Sequence, residues 1–189
     1  MKPSENPFRS GCVNALGYVS PSGEPWESIV SRVRAAGFRG ALVGPHGHGK
    51  STLMAKLATL DPPAGAERHD VVQVMADGSN VRDVKRDIAA HDGRLFIDGY
   101  DLLPWRLRAT LRQRREVIVT SHRDTRLPTL VRCETTPALL GELVGRLSPS
   151  VRAGLGDDGV AVLHRRHAGN IRDALRELYD RVATGAFSL

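Results

Sequence analysis

Gly40-Ala41-Leu42-Val43-Gly44-Pro45-His46-Gly47-His48-Gly49-Lys50-Ser51-Thr52 runs from a short apolar segment into three closely spaced glycines and then into a lysine and two hydroxyls. The residues after it, Leu53, Met54, Leu57 and Leu60, recur at helical spacing before Pro62 and Pro63 close the run. Strand, glycine-rich loop, helix is therefore the expectation here. A polyphosphate needs neutralising charge and many donors, and bulky side chains would hold it off the backbone. A loop of the form Gly44-x-x-x-x-Gly49-Lys50-Ser51 meets that need. Its amides can form a concave nest, and the helix that follows turns its positive end toward the anion.

Outward from this loop, strands and helices alternate. Pro25 suits a first helical turn, and Trp26, Ile29, Val30 and Val33 fall on one face before Gly37. Val71 to Ala76 reads as a β-branched strand. Asp77-Gly78-Ser79-Asn80 reads as a turn able to cap a helix carrying Val81, Val84 and Ile88. Arg94 to Asp98 is a buried strand ending in a carboxylate, and Leu103, Leu107 and Leu111 stack along a helix opened by Asp101 and Pro104. Glu116 to Thr120 and Thr129 to Cys133 are the fourth and fifth strands. Such alternation implies an α/β fold, a mostly parallel five-stranded sheet covered on both faces. From Thr136 onward only helical patterns remain: 137–147, a piece after Pro149, 158–166 and 170–182. The expected organisation is a lead-in segment over 1–23, a nucleotide-binding α/β core over 24–135 and a small helical lid over 136–189.

Composition narrows the class. The 189 residues suffice for one α/β domain with a helical appendage. Two cysteines, Cys12 and Cys133, cannot make a disulfide framework, and no apolar run reaches the length of a membrane span. A cytoplasmic protein is expected. The net charge of +6 suits a phosphate or nucleic-acid partner. Of 27 basic residues, however, 23 are arginines spread along the chain, a pattern that GC-rich coding also gives.

In the loop Gly44, Pro45, His46, Gly47, His48, Gly49, Lys50, Ser51 and Thr52, each residue has an expected part. Lys50 would reach the β and γ oxygens of a triphosphate, Ser51 would ligate Mg²⁺, and Thr52 lies near enough to contact an α-phosphate. His46 and His48 occupy variable positions and read as loop filler. Asp98, at a strand's end, fits the carboxylate that holds nucleotide-bound Mg²⁺ through its waters.

With both motifs the sequence resembles a P-loop NTPase, of the class with an extra strand between the P-loop strand and the Mg²⁺ strand. Val117-Ile118-Val119-Thr120-Ser121-His122 resembles the sensor-1 strand of AAA+ ATPases. Gly169-Asn170-Ile171-Arg172-Asp173-Ala174-Leu175 is similar to the sensor-2 helix of their lids. The resemblance spans Trp26 to about Val182. It implies that Thr120 or His122 and Arg172 read the γ-phosphate, and that the segment from Asn6 to Tyr18 packs near the adenine. It implies ATP and Mg²⁺ as cofactors and an ATPase acting on a macromolecule. DNA, a protein complex and self-association all stay open. The bland alternative for Arg172 is a solvated residue on a capped helix.

The chain departs from that family where a catalytic glutamate normally follows the Mg²⁺-site aspartate. Asp98 is followed by Gly99 and Tyr100. Asp101, Asp77 or His122 would then position water, or hydrolysis is slow. Arg123 and Arg126 are candidates for an arginine finger donated in trans. Two rivals remain. One is a small P-loop kinase, with Arg106, Arg108, Arg112, Arg114 and Arg115 clamping a phosphate rather than forming a solvated helix face. The other is a nucleotide-gated switch with little hydrolysis.

Overall fold

The structure is a computed structural model that describes residues 3–185. The chain divides into two compact units. One is made of Glu24–Pro45 and Lys50–Cys133; the other joins the segment through Gly23, the tetrapeptide His46–Gly49 and everything from Glu134 on.

The first unit is α/β. In chain order it holds α2 (Trp26–Ala35), β1 (Arg39–Val43), α3 (Lys50–Leu57), β2 (Val71–Gln73), α4 (Val81–Ala90), β3 (Leu95–Asp98), α5 (Trp105–Gln113), β4 (Val117–Ser121) and β5 (Thr129–Arg132), α1 lying in the other unit. The five strands form one sheet in the order β2-β3-β4-β1-β5. Every pairing is parallel. β1 lies in register with β4 from Arg39 opposite Val117 to Val43 opposite Ser121. β4 thus stands between β1 and β3.

Alternation distributes the strand side chains over two apolar layers. Ala41, Val43, Leu95, Ile97, Val117 and Val119 join Val84 and Ile88 of α4 and Leu111 of α5 in one cluster. The alternate residues Leu42, Phe96 and Ile118 are fully buried, as are Leu53, Met54 and Leu57 of α3, which packs on β1, β3 and β4. Burying each such side chain favours folding by about 1.5–3 kcal/mol. Helices on both faces explain why β4 is buried at every position.

Some local expectations shift. β2 stops at Gln73 rather than Ala76, because Asn80 takes over the backbone beyond it. Its Nδ2 donates to Gln73 O (2.7 Å) and its Oδ1 accepts from Met75 N–H (2.9 Å). Asn80 precedes α4 but makes no side-chain cap there. Leu103 lies outside α5: a 3-10 turn at Tyr100–Leu102 and extended backbone at Leu103 come first, and Pro104 sets the helix start.

The second unit is helical, with α1 (Ser10–Ala15), α6 (Pro137–Leu147), α7 (Pro149–Arg166) and α8 (Ile171–Ala183). Thr136, Ser148 and Asn170 cap the last three through side-chain oxygens. Within α7 the backbone breaks at Gly156 (φ 61°, ψ −178°), so two shorter helices meet there. The core gathers Leu140, Val144, Val151, Leu163, Leu175 and Leu178 with Phe8 from the N-terminal segment. That lead-in segment contains α1 and is anchored through Asn6, fully buried, whose Nδ2 donates to Tyr179 O (2.9 Å). Among the described residues no helix is long and apolar enough to cross a membrane.

Candidate functional site

The glycine-rich loop leaves β1 at Gly44, whose N–H donates to Ser121 O (3.1 Å), and re-enters helix at Lys50. Gly47 and Gly49 both have positive φ, 73° and 78°, so the chain between Val43 and Lys50 is curled rather than extended. At Gly47 a side chain would have to displace that of Asn170: a Cβ there would lie 1.7 Å from its Oδ1. The first amides of α3 have no carbonyl one turn back inside the helix, so the α3 start is a ready anion acceptor.

Lys50 is only 7% exposed. Its Nζ donates to Gly44 O and Pro45 O, both at 2.6 Å, so its hydrogen-bond partners are neutral carbonyls rather than a carboxylate. Burial pushes its pKa below the usual lysine value, and the fields of Cys133, Asp98 and Asp101 oppose that only in part. A nearly buried ammonium held by neutral dipoles is undercompensated, and an arriving anion would complete it.

Across the sheet, Asp98 ends β3 and Thr120 sits beside it on β4. Thr120 Oγ1 donates to Asp98 Oδ1 (2.6 Å) and accepts from Gly99 N–H (2.9 Å). The nearby Asp101 accepts at both oxygens. Its Oδ1 accepts from Ser121 Oγ (2.6 Å); its Oδ2 accepts from the backbone N–H of His122 and lies 3.1 Å from His122 Nδ1. Gly99 has φ 99° and leads into the 3-10 turn, so a glutamate at that position would be strained. Asp77 lies in the exposed turn after β2, where hydrogen bonds from Ser79 lower its pKa.

An open cavity of about 650 Å³ adjoins the metal-ligand candidates, lined by Ser51 and Asp98 together with Gln73, Asn80, Asp83 and Asp87. Ser51, Thr52 and His46 are exposed, and His48 is half-buried. Arg123 and Arg126 are exposed on the β4–β5 connection. In the helical unit, Arg172 is exposed on the first turn of α8, whose cap Asn170 is the residue against Gly47. Asn6 is fully buried and Phe8 only 3% exposed in that unit's core, so neither side chain offers a free face to a purine.

Two residues at the site escaped the sequence reading. Ser121 was read only as part of the β4 motif, yet it holds Asp101; its hydroxyl at a strand end was the available signal. Cys133 follows β5, and burial pushes its thiol up to about 11 against the opposing field of Lys50. A lone cysteine after a strand gave no signal for that. No protein-family model matches the chain, and no curated protein matches it.

Proposed function

We propose that the chain binds Mg-ATP on the Gly44–Thr52 loop and belongs with the P-loop NTPases of the additional-strand class, resembling AAA+ ATPases. The observation that carries this reading is the buried Lys50 ammonium, ending a curled glycine loop at the start of α3 and hydrogen-bonded to two neutral carbonyls. The strand order supports it, since β4 lies between the loop-bearing β1 and the β3 that ends at Asp98. Lys50, the loop amides and Thr52 would hold the phosphates; Ser51 and Asp98 would hold the cation. Among the described residues no group of three or more His, Cys, Asp or Glu is arranged as a metal site. In this reading the cation arrives with the phosphate oxygens. When bound it would neutralise charge on the phosphoryl oxygens. Thr120 orients Asp98. The nucleotide's state would then be converted into a conformational change acting on a macromolecular partner.

Slow hydrolysis, with the protein serving as a nucleotide-gated switch, is the second reading. Gly99 cannot readily be a glutamate, and both oxygens of Asp101 are already engaged in holding the end of β4. Titration of a fluorescent ATP analogue into wild type and Lys50→Ala tests the site. The expected result is binding at least about 100-fold weaker in the variant, from the loss of charged hydrogen bonds. Equal affinity refutes the reading, and turnover on the same samples separates motor from switch.

A further inference from the structure

Helix α5 buries Leu111 and half-buries Leu107 and turns a different chemistry outward. Trp105, in its first turn, is 66% exposed, and Leu102 just before it is 40% exposed. Arg108 and Arg112, both half-buried, follow Trp105 at i+3 and i+7, on the same stripe of the helix. Arg106 stands over the indole, its guanidinium carbon 5.4 Å from the ring centroid. From Pro104 to Arg115 the sequence contains no carboxylate. The next one, Glu116, is taken by Arg94 at 2.9 Å. Arg114 is committed to the carbonyls of Ile88 and His91. Among the described residues, Arg106, Arg108, Arg112 and Arg115 have no carboxylate partner, whereas Arg32, Arg34, Arg86 and Arg132 of the same unit do; Arg68, Arg82, Arg123 and Arg126 have none either, but here four such arginines fall within one short stretch of chain.

We infer that the outer face of α5 binds single-stranded nucleic acid, with a base stacked on Trp105 and backbone phosphates held by Arg106, Arg108 and Arg112. A flat, exposed indole offers an unpaired base the face that Arg106 does not cover, and arginines spaced along one helical stripe suit successive phosphates. A duplex hides its base faces, and an acidic protein would use the arginines but not the ring. The inference goes beyond the nucleotide reading and stands without it.

Anisotropy of a fluorescein-labelled oligothymidylate of about 20 nucleotides, longer than one small module covers, is measured with the full chain and no ATP present. Failure at Lys50 and failure here are then distinguishable. Wild type should bind. Trp105→Ala should weaken binding by about 5- to 150-fold, with Trp105→Phe retaining most of it. Arg108→Gln combined with Arg112→Gln should reduce the slope of log affinity against log salt by about 1.4. Arg86→Gln, on the exposed face of α4, should leave both unchanged. Thermal melts of each variant confirm that it folds. No binding by wild type, full affinity in Trp105→Ala, equal affinity for the matching duplex, or polyglutamate binding that depends on Trp105 would each overturn the inference.

Discussion

Replacing Gly47 by alanine asks whether the middle of the loop is held in the conformation described. Two separable costs follow from the structure. Gly47 has φ 73°, so any side chain there brings left-handed strain of roughly 1–2 kcal/mol. The new Cβ would also sit 1.7 Å from Asn170 Oδ1, the atom that accepts from Asp173 N–H at 3.2 Å and caps α8. Asn170 must swing away, and the lost cap adds about 1 kcal/mol. The sum is roughly 2–3 kcal/mol, or a melting-point drop of about 5–10 °C for a chain of this length. In an Asn170→Ala background the cap is already gone and the three atoms nearest the Cβ are absent. There, Gly47→Ala should cost only the backbone strain. Urea unfolding of wild type, both single variants and the double variant therefore predicts a coupling of about 1 kcal/mol. Strict additivity, or a Gly47→Ala loss under about 0.5 kcal/mol, would refute the reasoning.

Three further outcomes are expected. Burial alone would raise the Glu177 pKa, but hydrogen bonds from His167 and Arg181 and the fields of Arg181 and Arg166 outweigh it and hold it below 4.5. A depressed carboxylate stabilises fully above its unfolded pKa and loses that contribution as pH falls through the folded value. Urea midpoints measured from about pH 7 down to about pH 3 should decline less steeply in Glu177→Gln. Thr120→Val removes Asp98's hydroxyl donor and leaves Gly99 N–H without its acceptor, so stability should fall by about 1–3 kcal/mol and recover in Thr120→Ser. Cys133 is 2% exposed with its thiol raised to about 11, while Cys12 is half-exposed; iodoacetamide should label Cys12 in the native protein and Cys133 only after unfolding.

The parts of the fold legible in the sequence were those written as periodicity. Leu95-Phe96-Ile97 and Val117-Ile118-Val119 are unbroken apolar runs because both sheet faces are covered, and Ile29 with Val33 marks the inner face of α2. What stayed hidden depends on single side chains. Nothing periodic announces that Asn80 will satisfy the backbone of Gln73 and Met75 and so cut β2 short. Phe8 is one aromatic in a stretch of polar and small residues, yet it is 3% exposed in the helical core. Spacing could suggest Asp101 as a water-positioning base. Spacing does not show that the Ser121 hydroxyl and the His122 N–H donate to its two oxygens. The loop itself was visible because its constraint is chemical: glycines, a lysine and hydroxyls at fixed offsets leave a trace that distant contacts do not.

The neighbours of β1 carry a consequence for how the protein is made. Both strands that flank it, Val117–Ser121 and Thr129–Arg132, lie far downstream in the chain. A ribosome adding about 5–20 residues per second needs several more seconds after Val43 before either partner emerges. Until then Arg39–Val43 has no sheet to join, and the glycines that follow it have no platform to curl from. The nascent chain must therefore close two long loops before the segment can acquire its shape, which makes this part of the α/β unit one of the last to mature during synthesis.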